Sequence, residues 1–165
     1  MNHTRESKPV TYIHYLNGYT EFDTRLFRPI TNGNLGVKPY GGLWASPVDS
    51  ENSWKVWCEC EDFRECRDDC SFKFTMRNPE KVFYVDSEES YMELARLYGR
   101  MRENPWGIGM GLDYIDFEQM QRDGWDALEI SLTDYYRLYN LMYTWDCDSI
   151  IVFNKDAIVL TSNES

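Results

Sequence analysis

The segment Gly41-Gly42-Leu43-Trp44-Ala45-Ser46-Pro47 constrains the fold of this chain more than any other. Its apolar middle reads as a buried strand, and Pro47 ends it because proline cannot donate to a sheet ladder. Gly41 and Gly42 carry no Cβ, so another backbone or a flat ring can approach closely where the strand begins. The strand therefore sets one large ring, Trp44, beside a backbone-accessible crevice, with the Ser46 hydroxyl at its far end. Upstream, Val10 to Leu16 alternates and is rich in β-formers, which predicts a first strand centred on His14.

The remaining punctuation predicts a mixed chain. Asn17 to Asn34 holds Gly, Pro and Asn and reads as a loop with one short helical turn near Phe22–Phe27. Asp49 or Ser50 can cap a helix in which Trp54, Trp57, Cys58 and Glu61 recur at helical spacing. Ser71 to Arg77 alternates Phe72, Phe74 and Met76 with Lys73, Thr75 and Arg77, a strand with one solvated face. After the turn Asn78-Pro79 a further strand runs from Lys81 to Asp86. Ser87 or Ser90 caps a helix with the stripe Tyr91, Leu94, Ala95 and Tyr98. Asn104 to Gly111 is a glycine loop. Beyond it the pattern predicts a helix over Asp116–Arg122, a strand over Trp125–Ile130 and a helix over Asp134–Tyr143. Ser149 to Phe153 is a final core strand, and Asn154 to Leu160 a turn with an edge segment. Helices and strands do not alternate strictly, which argues for an α+β fold over a doubly wound parallel sheet. At 165 residues, with no repeat and no linker, the chain is expected to form one domain spanning 1–165.

Charge narrows the partners. The formal net charge is -11 at pH 7, which opposes binding that relies on neutralising phosphates. A protein or small-molecule partner is favoured over bulk nucleic acid, and a basic protein partner, as for an acidic DNA mimic, stays open. No apolar run is long enough to span a membrane, and Met1 to Lys8 has no signal-peptide core, so a cytoplasmic setting is the expectation. Five cysteines are present, and Cys58, Cys60, Cys66 and Cys70 cluster. Four thiolates can hold zinc, but C-x-C-x5-C-x3-C is not a pair of CxxC knuckles. Cys58 and Cys60 also fall in a helix, where residues two apart face different ways. Reduced thiols and no metal are expected.

Chemistry could reside in four places. His14 lies between apolar neighbours, where a histidine is ordinarily a core residue bonded to a carbonyl, and Trp44 alone is ordinarily core. Together with Gly42 and Ser46 they describe a ring-binding crevice. Asp148 stands directly before the buried run Ser149–Phe153, from where an acid can point into a cleft, though Asp146 and Asp148 also read as a solvated loop. Glu129, between Leu128 and Ile130, is a carboxylate that needs a partner or a purpose, or else an outward-facing strand residue.

The order of these motifs resembles the ADP-ribosyltransferase superfamily, in the branch with a His–aromatic–acid triad and a diphtheria-toxin- or PARP-like core. The resemblance rests on the His14 strand, on Gly42-Leu43-Trp44-Ala45-Ser46 with the following helix of Trp54 and Trp57, and on Gly124-Trp125-Asp126-Ala127-Leu128. Asp148-Ser149-Ile150-Ile151-Val152-Phe153-Asn154 completes it. It implies mixed sheets forming a central cleft with flanking helices, and NAD as the substrate that donates ADP-ribose. Under it His14 bonds the ribose hydroxyls of NAD, the Tyr15 backbone meets the nicotinamide amide, and Trp44 stacks on the nicotinamide ring. Asp148, with Glu129 as its rival, stabilises positive charge as the glycosidic bond breaks. This chain has Asp where the family most often has Glu, and Trp where it has Tyr. The implied activity is ADP-ribosyl transfer to an unidentified acceptor, or NAD hydrolysis. The alternative is a non-enzymatic acidic interaction or inhibitor protein on the same fold.

Overall fold

The computed structural model describes residues 9–18, 22–33, 37–100 and 114–161. Its architecture is mixed α+β: a curled, mixed, eight-stranded sheet with few helices, and a separate two-stranded ribbon. In chain order the strands are β1 (Tyr12–Tyr15), β2 (Arg28–Thr31), β3 (Tyr40–Pro47), β4 (Ser71–Met76), β5 (Val82–Val85), β6 (Gly99–Arg100), β7 (Tyr114–Ile115), β8 (Ala127–Ile130), β9 (Ser149–Val152) and β10 (Ile158–Leu160). The helices are α1 (Trp54–Cys60), α2 (Glu88–Tyr98), α3 (Phe117–Arg122) and α4 (Leu138–Leu141). The large sheet runs β10-β4-β1-β3-β9-β8-β5, with β2 added to β3 and with β5 and β8 its parallel pair.

Strand alternation divides the interior into two layers. Phe83, Val85, Leu128, Ile130 and Ile151 point to one face and pack with Leu94 of α2, Phe117 and Met120 of α3 and Leu138 of α4. Leu43, Ala45, Phe74, Val82, Ala127, Ile150 and Val152 point the other way and pack with Tyr12. Fully burying one such Leu, Ile or Phe stabilises the fold by about 2 kcal/mol. The helices are positioned by local signals. Ser87 and Ser90 close a capping box at the start of α2, and Ser53 and Asp116 cap α1 and α3.

Several elements differ from the sequence reading: α1 is capped by Ser53 and not by Asp49 or Ser50, and the strands β6 and β7 are additions. The loop expected over Asn17–Asn34 contains the predicted helical turn, at Thr24–Leu26, and also β2. β2 forms because the free edge of β3 supplies its partner, and its proline is tolerated on an edge strand. The helix expected over Asp134–Tyr143 shortens to α4, because Asp134 accepts from Ser131 Oγ at 2.9 Å instead of capping it. The strand expected from Trp125 begins at Ala127, since the Trp125 and Asp126 amides bond Met120 and Lys81 carbonyls. The glycine loop expected over Asn104–Gly111 lies outside the described residues. No helix among the described residues is long and apolar enough to cross a membrane.

One break in the sheet creates the site. β1 pairs with β4 along its whole length, from Tyr12 to Tyr15, but with β3 only at Tyr12↔Pro47 and Ile13↔Ser46. At His14 and Tyr15 the first strand stays with β4 and leaves β3, which pairs along Leu43–Ala45 with β9. A cleft therefore opens inside one sheet, not between two.

Candidate functional site

The crevice at this split has a volume of about 300 Å³. His14 and Tyr15 form one wall, Trp44 and Ser46 the other, and Trp54, Trp145 and Asp146 lie against them. Lys38 and Arg64 also line it, so two cations face one carboxylate in a chain whose net charge is -11.

His14 Nδ1 lies 2.5 Å from the Trp44 carbonyl oxygen and bridges the gap where the backbone ladder has ended. A carbonyl can only accept, so Nδ1 carries the proton and neutral His14 keeps Nε2 as an acceptor. Burial pushes the His14 pKa below the usual 6.5; the Trp44 carbonyl opposes this, and the nearby Arg64 charge adds to it. Neutral imidazole is thus the form present near pH 7. Phe72 packs against the ring at a centroid distance of 5.2 Å.

Trp44 is half-buried and meets Trp145 edge to face, 4.8 Å between centroids, with Lys38 Nζ 5.7 Å from its own centroid. Trp145 is fixed in turn by its indole N–H, which donates to the Val37 carbonyl at 3.1 Å. The turn that delivers Trp145 and Asp146 includes Thr144 at φ 99°, a conformation β-branched residues avoid and one that concentrates at constrained sites. Asp146 forms an ion pair with Lys38 at 2.9 Å.

The hydroxyl of Ser46 is committed to structure. It is fully buried and accepts from the Trp54 amide at 2.9 Å, tying the start of α1 to the end of β3. The Tyr15 carbonyl accepts from Arg64 Nη2 at 3.1 Å, and its hydroxyl donates to Asp68. Gly42 is not part of the crevice lining. At φ 67°, a Cβ there would stand 2.7 Å from Ile151 Cδ1 and 2.9 Å from the Val152 oxygen, so its bareness serves the contact with β9. Gly41, at φ 75°, similarly admits the Pro29 carbonyl of β2.

The two acids lie elsewhere. Asp148 and Glu129 line a second cavity of about 310 Å³, with Asp49, Glu51 and Asp134. Asp148 is buried and its carboxylate accepts from Ser50 Oγ, Asn52 Nδ2, the Leu132 and Thr133 amides and Thr133 Oγ1, at 2.8–3.4 Å. It clamps the turn after β3 to the turn after β8. Glu129 is buried on the sheet face opposite Leu128 and Ile130 and accepts from the Tyr12 hydroxyl at 2.7 Å. Residues flanking Asp148, namely Cys147 and Ser149, are the ones that line the crevice. Cys147 is a poor nucleophile there, since burial pushes its thiol pKa up.

The crevice thus gathers His14, Tyr15, Trp44 and Ser46, and leaves Gly42, Asp148 and Glu129 outside. Sequence reasoning missed Lys38, Arg64, Trp145 and Asp146 as crevice residues. Arg64 left a trace, being a cation inside the acidic run Glu59–Asp69. Of the cysteine cluster, Cys58 and Cys66 are buried beneath Trp54 and Trp57, Cys60 is exposed, and all are free thiols. Burial and the neighbouring Cys66 raise the Cys58 pKa to about 12, with Arg64 pulling the other way. No group of three or more His, Cys, Asp or Glu among the described residues is placed to hold a metal ion. No family model, curated protein or solved structure matches this chain.

Proposed function

We propose that the crevice between β1 and β3 binds NAD and that the protein uses it as a source of ADP-ribose, on an ADP-ribosyltransferase-like fold. The observation that carries this reading is the split itself. The strand of His14 parts from the strand of Trp44 at a mixed aromatic and cationic pocket, in the order the motif resemblance implies. Neutral His14 offers Nε2 to a ribose hydroxyl, and the indoles of Trp44, Trp54 and Trp145 offer apolar walls to a nicotinamide ring. The positive charge of Arg64, the crevice cation not paired with Asp146, suits a dinucleotide's phosphates.

In the reaction, the bond between nicotinamide and the ribose C1 breaks, and nicotinamide leaves with the bonding electrons. The oxocarbenium-like sugar is captured by water or an acceptor nucleophile, which then loses a proton. Asp146 is the carboxylate lining this crevice, and its charge is the one we assign to stabilising the developing cation. Asp148 and Glu129 contribute to the scaffold in this scheme.

The test is a thermal-shift titration with NAD, paired with chromatographic detection of released nicotinamide. At a ligand concentration one hundred times Kd, stabilisation should reach about 2.7 kcal/mol. His14→Gln should weaken NAD binding at unchanged melting temperature of the free protein within a few degrees. Absence of any NAD-induced shift in the wild-type protein would sink the proposal and favour an interaction role.

A further inference from the structure

The aromatic cluster on α1 reaches from the crevice to open solvent. Trp54 and Trp57 stand about one helical turn apart on the same face and stack, 5.0 Å between centroids and 15° between planes. Phe63 packs across both, at 5.8 and 5.4 Å, and is itself 60 % exposed. Asp62, at φ 49°, turns the chain so that the Phe63 amide donates to the Cys58 carbonyl and the ring comes back onto the helix. Aromatic rings left at the surface in this way are enriched where proteins meet partners. Trp54 also lines the crevice, so cluster and crevice are continuous.

The charges beside these rings define what can cover them. α1 has no basic residue in its last turn, and the exposed carboxylates of Glu59, Glu61 and Asp62 stand there instead. A helix C-terminus is the negative end of its dipole, so acids are unfavourable there, and three together also repel one another. The cations next to them in sequence are committed: Lys55 to Asp68, Arg67 to Asp69, and Arg64 to the Tyr15 carbonyl. The free protein therefore holds a local repulsion that a cation from outside would relieve. Arg64, its guanidinium carbon 5.9 Å from the Trp54 centroid, shows that an indole of this cluster accepts a guanidinium. We propose that the face of Trp54, Trp57 and Phe63 docks an arginine-bearing segment of a partner protein, whose guanidinium lies on the rings and pairs with the carboxylates. This goes beyond the NAD reading and does not depend on it.

The experiment titrates the protein, without nucleotide, with a peptide of Gly-Arg-Gly repeats and with its lysine counterpart, read by calorimetry and tryptophan fluorescence. A variant with Glu59→Gln, Glu61→Gln and Asp62→Asn is compared with a control that removes the same charge from other exposed positions, Glu80→Gln, Glu88→Gln and Glu89→Gln. Asparagine tolerates the positive φ of position 62. Neutralising the α1 carboxylates should raise the melting temperature and weaken arginine-peptide binding about tenfold, the scale of one charge-assisted hydrogen bond. The control should weaken it less than about threefold, because distant exposed charges are screened. Phe63→Leu keeps apolar bulk without the ring face and should weaken binding about threefold, and wild type should hold the lysine peptide less tightly than the arginine one by about the same factor. Equal weakening by the two triple variants would reveal undirected attraction to an acidic chain and overturn the proposal. So would a lowered melting temperature in the α1 variant, which would make its carboxylates structural, or no binding of the arginine peptide to wild type at about 1 mM. None of these readouts involves NAD, so the two readings fail separately.

Discussion

Two cavities of nearly equal volume open beside the end of β3, and their linings are opposite in character. The crevice holds aromatic rings, a neutral histidine and a surplus of positive charge, whereas the second cavity is walled by Asp49, Glu51, Glu129, Asp134 and Asp148. The contrast is produced by single-residue alternation. Cys147 and Ser149 turn into the crevice, and Asp148 between them turns away. A motif fixes where along the chain an acid sits, while the strand and the turn before it fix the side it faces. The second cavity therefore reads as a hinge of polar contacts holding the crevice's walls, and its acids differ in role from Asp146.

The largest test of that division is Asp148→Ala. Removal of the carboxylate strands five donors from two turns, at a cost of about 3–5 kcal/mol. For a chain of this size the melting temperature should fall by roughly 10 °C. NAD affinity, measured well below the transition, should change less than threefold. A fully stable variant that binds NAD and no longer releases nicotinamide would instead return Asp148 to the chemistry and break the comparison.

Gly42→Ala comes next, and asks whether the glycine serves the sheet or the ligand. Its positive φ and the close approach of Ile151 and Val152 predict a loss of roughly 2 kcal/mol. Denaturant titration should show a lower midpoint with an unchanged slope, and NAD affinity of the folded fraction should be preserved. Affinity lost without loss of stability would place Gly42 at the ligand.

The legibility of the sequence follows the same line. The strands around His14, Trp44, Phe72 and Phe74, Val82 to Val85 and Ile150 to Val152 are readable because apolar alternation or a short continuous apolar run is a local signal. So is the Ser87 cap. What could not be read depends on distant partners. β2 exists because β3 has an edge to fill, and Arg64 enters the crevice because α1 ends where Tyr15 offers a carbonyl. The sequence position of Asp148 suggests a carboxylate facing the NAD cleft, whereas it lines the second cavity. Its purpose, bonding turns 16 and 98 residues away, has no signature in the residues next to it.

A smaller effect separates the cavities by pH. The folded-state pKa of His14 is depressed, so the unfolded chain binds the proton more readily. Its contribution to stability is complete above the ordinary value of 6.5 and is lost as pH falls through the depressed one. Protonation also converts Nε2 from acceptor to donor. NAD affinity should therefore be flat from pH 7 to 8 and weaken about tenfold at the acid end, the value of one lost acceptor. Lys38, Arg64 and Asp146 share the crevice, so the control is His14→Gln, in which the slope should vanish. An identical slope in that variant would exclude His14 as its source.

The smallest effect concerns Glu129 and its bond from Tyr12. The two side chains bridge the sheet from β1 to β8 on the face away from α2 and α3, and neither lines the crevice. Tyr12→Phe deletes one donor and keeps the ring that stacks on Phe74 at 5.5 Å, so stability should fall by about 1 kcal/mol. Glu129→Gln keeps the shape and removes the charge. A double-mutant cycle on these two changes should give a coupling of about 1 kcal/mol in unfolding and none in NAD affinity. Coupling in affinity would mean that the second cavity and the crevice report on each other through β1, which carries Tyr12 on one side of the split and His14 on the other. The division between a binding crevice and a structural hinge would then have to be replaced by one continuous site.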